Sequence, residues 1–187
     1  MKVLIATGWE YPDYLGKNTE IIDLEDSTFS CTKVQPFPVI LYSANGGLIE
    51  GKIPFLCGGR NWINGVKRYK DCYQLNEDGS WAKDPKASLS TARSDLGYGS
   101  IVLNNNLYIS GGSDGSSLTL IEMLSPDTTS KIIPVQLPIG IQRHCQVPWD
   151  SETFLLIGGT ISGQEYRDET YFINVITNQL TNGPSLN

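Results

Sequence analysis

The sequence contains few of the residues from which metal and redox sites are built. Histidine occurs once, at His144, methionine occurs twice, and the four cysteines form no Cys-x-x-Cys pair. A structural zinc site needs four closely spaced thiolate or imidazole ligands. We therefore expect no metal site and no cofactor.

Positive charge and long apolar runs are also scarce. The chain has 14 basic and 20 acidic residues, for a formal net charge of −6. Nucleic acids and anionic membrane surfaces both attract basic faces, so neither is an expected partner. No apolar run approaches the ~18 residues that span a bilayer, and no long segment shows a helical period.

What the sequence does contain is a repeat. Four short apolar runs each end on a glycine, at intervals of 50, 53 and 47 residues. These glycines are Gly8, Gly58, Gly111 and Gly158. A second glycine follows at once in the last three copies, at Gly59, Gly112 and Gly159, whereas Trp9 follows in the first. Internal similarity at this period is typical of repeat architectures.

Further strand-like runs surround each glycine stop. One follows it after a polar loop, as at Asp71–Leu75, and another polar-apolar run comes later, as at Ser130–Leu137. A first strand precedes the later stops, for instance Val39–Ser43, with turns predicted at Asn45–Gly47 and Asn104–Asn106. Four short strands per unit of about 50 residues indicate an all-β fold built from propeller blades.

The pattern resembles the Kelch family of β-propellers. The segment Arg93–Gly112 (RSDLGYGSIVLNNNLYISGG) is similar to a Kelch first hairpin, and Tyr73 followed by Trp81 resembles the family's aromatic pair. The resemblance implies one propeller domain with blades at about 1–36, 37–89, 90–139 and 140–187. It also assigns the seven repeat glycines a structural role at strand ends.

The first of these blades lacks its innermost strand, because the chain opens directly in a second strand at Val3–Thr7. The resemblance therefore implies a partial or open propeller. Two explanations stay open: a piece of a longer propeller, or a four-blade or self-paired assembly that covers its own edges. Open blade edges also predict self-association.

The expected recognition surface is a set of loops after the second strands. Arg60–Lys70 (RNWINGVKRYK) is basic and aromatic in an otherwise acidic chain, and residues of these types are enriched in binding hot spots. The alternative is a solvated loop without a partner. The candidate partner-binding residues are Arg60, Trp62, Lys67, Arg68 and Tyr69, joined from equivalent loops by Tyr11, Tyr14, Tyr166 and Arg167.

Cys57 and Cys72 lie on adjacent predicted strands, where they face each other across the pair. Opposed residues of antiparallel strands come close enough for a disulfide; two buried reduced thiols are the alternative. The compartment follows from that choice. We expect a cytoplasmic protein if the thiols are free, and an extracellular one if the disulfide forms.

No catalytic constellation is visible, so we expect a protein-interaction module rather than an enzyme, with a protein or peptide partner. The resemblance also leaves a carbohydrate-binding or carbohydrate-modifying propeller, similar to a mutarotase or isomerase, with an arginine and a carboxylate at its central channel. Residues available for that role are Arg93, Asp95, Arg143, Glu165 and Arg167. His144 beside Arg143 resembles a family pair that supports blade packing.

Overall fold

The computed structural model describes residues 2–8, 16–28, 31–51, 53–97, 100–127, 129–162 and 165–187. The described residues form four successive antiparallel sheets and contain no helix. This confirms the all-β expectation. Among the same residues, no helix has the length and apolarity needed to cross a bilayer.

Each sheet is built from strands that follow one another along the chain. Sheet 1 contains β1 (Lys2–Gly8), β2 (Gly16–Asp23) and β3 (Cys31–Lys33). Sheet 2 contains β4 (Asn45–Ile49), β5 (Ile53–Cys57), β8 (Asp71–Leu75) and β9 (Trp81–Ser88), and a short hairpin of β6 (Arg60–Asn61) and β7 (Lys67–Arg68) interrupts it.

The other two sheets repeat the four-stranded order. Sheet 3 contains β10 (Ile101–Leu103), β11 (Asn106–Ser110), β12 (Ile121–Leu124) and β13 (Ser130–Ile132). Sheet 4 contains β14 (Cys145–Pro148), β15 (Thr153–Ile161), β16 (Glu165–Asn174) and β17 (Gln179–Asn182). Within each sheet the strands are ordered as in the chain.

Tight turns fix the hairpins inside the sheets. β10 and β11 are joined at Asn104 and Asn105, which both have positive φ (48° and 64°). Asparagine tolerates this region better than most residues, and two such residues in a row suit a two-residue hairpin turn. The turn predicted after the first strand of the third repeat is confirmed.

The core lies between successive sheets. Phe154 and Leu156 of sheet 4 pack with Ile121 of sheet 3, while Phe55 of sheet 2 packs with Ile109 of sheet 3. Among the strands that begin sheets 2, 3 and 4, β10 lies beside both β4 and β14. Apolar side chains on both faces of sheet 3 are therefore buried by neighbouring sheets.

The first strand of the second repeat was predicted wrongly. Val39–Ser43 is not a strand, and the predicted turn at Asn45–Gly47 instead lies within β4. The two glycines are there because β4 is crowded. A Cβ on Gly47 would come within 2.8 Å of Val102 and 2.9 Å of Leu107. Close packing rather than turn geometry explains this Gly-Gly pair.

The register of the first repeat also differs from the sequence alignment by one residue. Gly58 and Gly59 have φ values of 69° and 95°, and the two residues with matching geometry in β1 are Thr7 (62°) and Gly8 (127°). Gly8 therefore corresponds to the second glycine of the pair, not the first.

Cys57 and Cys72 are directly opposed in β5 and β8 and form a disulfide, with 4.1 Å between their Cα atoms. Of the two alternatives left by the sequence, the bridged one is present in the structure. Cys31 is exposed and Cys145 half-buried, and both are free thiols.

Candidate binding site

A residue with left-handed backbone precedes the first strand of each of sheets 2, 3 and 4. These residues are Ser43, Asp95 and Arg143, with φ values of 57°, 55° and 57°. The residue before each forms an isolated β-bridge with the residue that follows a glycine pair, joining Tyr42 to Arg60, Ser94 to Ser113 and Gln142 to Thr160. The repeat thus brings equivalent positions from sheets 2, 3 and 4 close together.

Asp95 of the third repeat contacts one arginine from each of the two neighbouring repeats. Its Oδ2 lies 2.9 Å from Nη1 of Arg60, and its Oδ1 lies 3.1 Å from Nε of Arg143. The hydroxyl of Ser94 donates a further hydrogen bond to Oδ2 at 3.0 Å. The Asp95 side chain is buried (4% exposed), whereas that of Arg143 is 45% exposed. Asp95 therefore holds two guanidinium groups in fixed positions, that of Arg60 15% exposed and that of Arg143 facing solvent.

A cleft of about 230 Å³ opens at this cluster. It is lined by Tyr42, Ser43, Arg60, Asp95, Leu96, Gly97 and Arg143. The charge in the cleft is positive, because two arginines face one carboxylate. Burial raises the pKa of the Tyr42 phenol, so this hydroxyl stays protonated at neutral pH.

The β6–β7 hairpin rises beside the cleft. The guanidinium carbon of Arg60 lies 5.3 Å from the Tyr42 ring centre and 5.8 Å from that of Trp62, both within cation–π range. The tip carries three exposed apolar side chains, Trp62 (59%), Ile63 (45%) and Val66 (53%). Arg60 thus joins the polar cleft to an apolar protrusion.

The base of this hairpin is held by polar contacts. The side-chain amide of Asn61 donates a hydrogen bond to the Tyr69 hydroxyl at 2.6 Å, and the Lys67 ammonium lies 5.0 Å from the Tyr69 ring centre. Arg68 pairs with Arg60 across the two strands and is half-buried. All five residues predicted in this loop therefore lie in or directly beside one hairpin.

Two further predicted loop residues lie in sheet 4. Tyr166 and Arg167 belong to β16 of sheet 4, where Tyr166 is 85% exposed. Arg167 is paired with Glu165 and Glu169 on its own strand. Tyr11 and Tyr14 lie outside the described residues.

Two further candidates have structural surroundings. Arg93 is fully buried, donates to the carbonyl of Gly111 and pairs with Glu122. His144 is also fully buried, with Nε2 3.2 Å from the side-chain nitrogen of Gln146. Burial, with a smaller contribution from the charge of Arg93, lowers the pKa of His144 to about 4. Neither side chain reaches solvent or the cleft.

Sequence reasoning named Asp95 and Arg143 only as available charges and missed Tyr42 and Ser43. The bridge between Tyr42 and Arg60 joins residues far apart in the chain, so composition gave no sign of it. The signal that was present is the repeat itself, since aligned copies place Ser43, Asp95 and Arg143 at one position. Among the described residues, no group of three potential metal ligands is found.

No family model and no curated protein matches this chain. Among solved structures, one titled "Structure of YjhT" is similar, with a TM-score of 0.81 and 15% sequence identity. The similarity covers 99% of this chain and 63% of that one, so the chain spans slightly less than two thirds of the length of the similar structure. At this identity the likeness concerns the fold alone.

Proposed function

We propose that the four sheets are blades of a Kelch-type propeller and that its loop face recognises a protein or peptide. The order of strands in each sheet and the adjacent β4, β10 and β14 support this architecture. In a propeller those strands surround the axis, so the Asp95 cluster would lie at the mouth of the central channel.

The observation that carries the recognition role is the exposed tip of the β6–β7 hairpin. Trp62, Ile63 and Val66 extend from a preformed turn in which Asn64 and Gly65 both have positive φ. Such a turn costs little conformational entropy on binding, and an exposed tryptophan next to arginine has the composition of an interface hot spot. Lys67 and Arg68 make the same hairpin basic in a chain of net charge −6, which favours an acidic partner surface.

The test compares two matched double variants as affinity baits in an extract of the source organism. Trp62→Ala with Lys67→Glu alters the hairpin. Trp149→Ala with Lys131→Glu makes the same changes elsewhere, at a tryptophan of similar exposure (62%). Proteins retained by the native chain and by the control, but lost with the hairpin variant, would support the proposal. Identical recovery by all three baits, with both variants folded, would refute it.

A second candidate is carbohydrate binding, favoured by the Arg60–Asp95–Arg143 cluster. Arginine and carboxylate groups beside an aromatic ring can hydrogen-bond sugar hydroxyls and stack on a sugar face. Saturation-transfer NMR with a panel of neutral and acidic monosaccharides would test it. Loss of the signal in Arg143→Ala, but not in Arg167→Ala, would place the sugar in this cleft.

The disulfide would fit an extracellular location for such a module, since these bonds persist in oxidising compartments.

A further inference from the structure

Asparagine is followed directly by glycine at three places in the chain, Asn45–Gly46, Asn64–Gly65 and Asn182–Gly183. This dipeptide is able to modify itself. The backbone nitrogen of the glycine attacks the side-chain carbonyl carbon of the asparagine, a C–N bond forms, and the side-chain nitrogen leaves as ammonia. Water then opens the five-membered succinimide at either carbonyl and yields aspartate or isoaspartate. Glycine permits the attack because it has no Cβ to obstruct ring closure.

Asn64 and Gly65 lie at the tip of the β6–β7 hairpin, and both are exposed. Gly65 has a φ of 104°, and a Cβ built on it would meet no atom within 4 Å. Within the described part of the chain, neither the Gly65 amide nor the Asn64 side chain is hydrogen-bonded. The hairpin beneath them pairs through only two residues of each strand, and so short a ladder opens readily. The attacking nitrogen is therefore unpaired and has space to turn.

Asn45–Gly46 is the same dipeptide in the opposite surroundings. Asn45 is 7% exposed, and its side-chain amide donates a hydrogen bond to the carbonyl of Leu96 at 3.3 Å. Both residues lie in β4, where a Cβ on Gly46 would come 2.1 Å from the carbonyl oxygen of Phe55. In so close-packed a position the succinimide ring cannot form unless the sheet opens.

The third dipeptide separates exposure from backbone freedom. Asn182 is exposed, as Asn64 is, but it is paired with Tyr171 in the ladder between β16 and β17. The Gly183 amide donates a hydrogen bond to the carbonyl of Thr170 at 2.8 Å. Attack by this nitrogen would break that bond, so the ladder has to open first. Of the three dipeptides, the one at the hairpin tip alone combines exposure with an unpaired amide.

We propose that Asn64 is a site of spontaneous modification, converted to aspartate and isoaspartate while Asn45 and Asn182 persist. The segment Arg60–Lys70 holds four basic residues and no acidic one, so the product introduces its first carboxylate. Isoaspartate also routes the backbone through the side chain, which lengthens the hairpin loop by one atom. Both changes weaken binding to an acidic partner, a consequence that rests on the recognition role proposed above.

The three sites report separately from one sample, because trypsin leaves them on different peptides, 34–52, 61–67 and 168–187. Mass spectrometry of the native chain, incubated in mildly alkaline buffer, should show loss of the side-chain amide at Asn64 at least tenfold faster than at Asn45 or Asn182. In urea with reductant the three rates should become similar, because the dipeptide is the same. Equal rates at Asn64 and Asn182 in the native chain, or a rate at Asn64 that rises at least tenfold on unfolding, would overturn the proposal.

Matched variants link the modification to its consequence. Asn64→Gln keeps the side-chain amide but needs a slower six-membered ring, so acidic forms of the hairpin peptide should disappear. Asn182→Gln makes the same change at another exposed asparagine and should leave the rate at Asn64 unchanged. As affinity baits, Asn64→Asp should retain less of the hairpin-dependent proteins than Asn64→Gln. Equal recovery by these two baits would refute the consequence for recognition, whereas the rates decide the modification itself.

Discussion

Arg93 and Glu122 form a salt bridge that is sealed from solvent, with 0% and 2% of their side chains exposed. The carbonyl of Arg93 accepts a hydrogen bond from Gly59, as those of Leu41 and Ile141 do from Gly8 and Gly112. Arg93 thus occupies a position that is apolar in the neighbouring repeats. Burial lowers the pKa of its guanidinium to about 10, with Glu122 opposing the shift, so Arg93 stays charged at neutral pH.

Replacing Arg93 by leucine, the residue at the equivalent Leu41, should destabilise the fold by about 3–5 kcal/mol. The cause is the carboxylate of Glu122, which would be left buried without a counter-ion. Adding Glu122→Gln removes that charge but keeps an acceptor for Ser90 and Ser130, and should recover at least about 1 kcal/mol.

Urea denaturation measures both differences. Arg167→Leu is the matched control, because Arg167 pairs with two glutamates at a more exposed site and should cost less than about 1 kcal/mol. Equal losses for Arg93→Leu and Arg167→Leu would contradict the buried-charge argument.

The repeat made the number of sheets and most strands predictable, because glycine stops and apolar runs recur at a fixed spacing. Asp71–Leu75 was predicted with the bounds that β8 has. The failures came where tertiary packing overrides local signals. Asn45–Gly47 has the sequence of a turn yet lies in β4, where a Cβ on Gly47 would come within 2.8 Å of Val102 and 2.9 Å of Leu107.

The candidate site was predictable only in part. The basic and aromatic residues of Arg60–Lys70 were visible in the sequence, as was a disulfide between adjacent strands. The cluster around Asp95 was not, since Arg60 and Arg143 lie far from it in the chain. Thr7 also misled the alignment, because a β-branched residue is not expected at a left-handed position that the other repeats give to glycine.

His144 should make stability depend on pH below neutrality. Its pKa is about 4 in the folded chain, lowered mainly by burial and then by Arg93, against about 6.5 when unfolded. The unfolded chain therefore binds the extra proton between these values, and stability falls as the pH drops from about 6.5 to 4. The loss attributable to this residue approaches about 3 kcal/mol at the lower end.

The measurement is the free energy of unfolding of the native chain and of His144→Gln across pH 4 to 7.5. Glutamine is polar and does not titrate, so the difference between the two curves isolates the imidazole from the carboxylates. Parallel curves would show that His144 is protonated or accessible in the folded state, contrary to its burial.

The Cys57–Cys72 disulfide should stabilise the chain mainly by restricting its unfolded state. A loop of 15 residues corresponds to roughly 3 kcal/mol. Cys57→Ala with Cys72→Ala should lower the free energy of unfolding by about this amount, measured by urea denaturation without reductant. Cys31→Ala removes an exposed free thiol and serves as control. If the double variant is as stable as the control, the bond contributes nothing.

Gly111 should be far less replaceable than Gly51, although both have left-handed backbone, with φ of 54° and 67°. A Cβ at Gly51 would meet no atom within 4 Å, so Gly51→Ala should cost only the conformational penalty, about 1–2 kcal/mol. A Cβ at Gly111 would lie 2.3 Å from the carbonyl oxygen of Ile141, in the segment that leads into sheet 4. The backbone cannot move there without separating sheets 3 and 4, so Gly111→Ala should cost at least about 2 kcal/mol more.

Thermal and urea denaturation of both variants give the comparison. Similar losses would mean that the repeat glycines are selected for φ alone, and a larger loss at Gly111 would mean that close contact between successive sheets selects them as well.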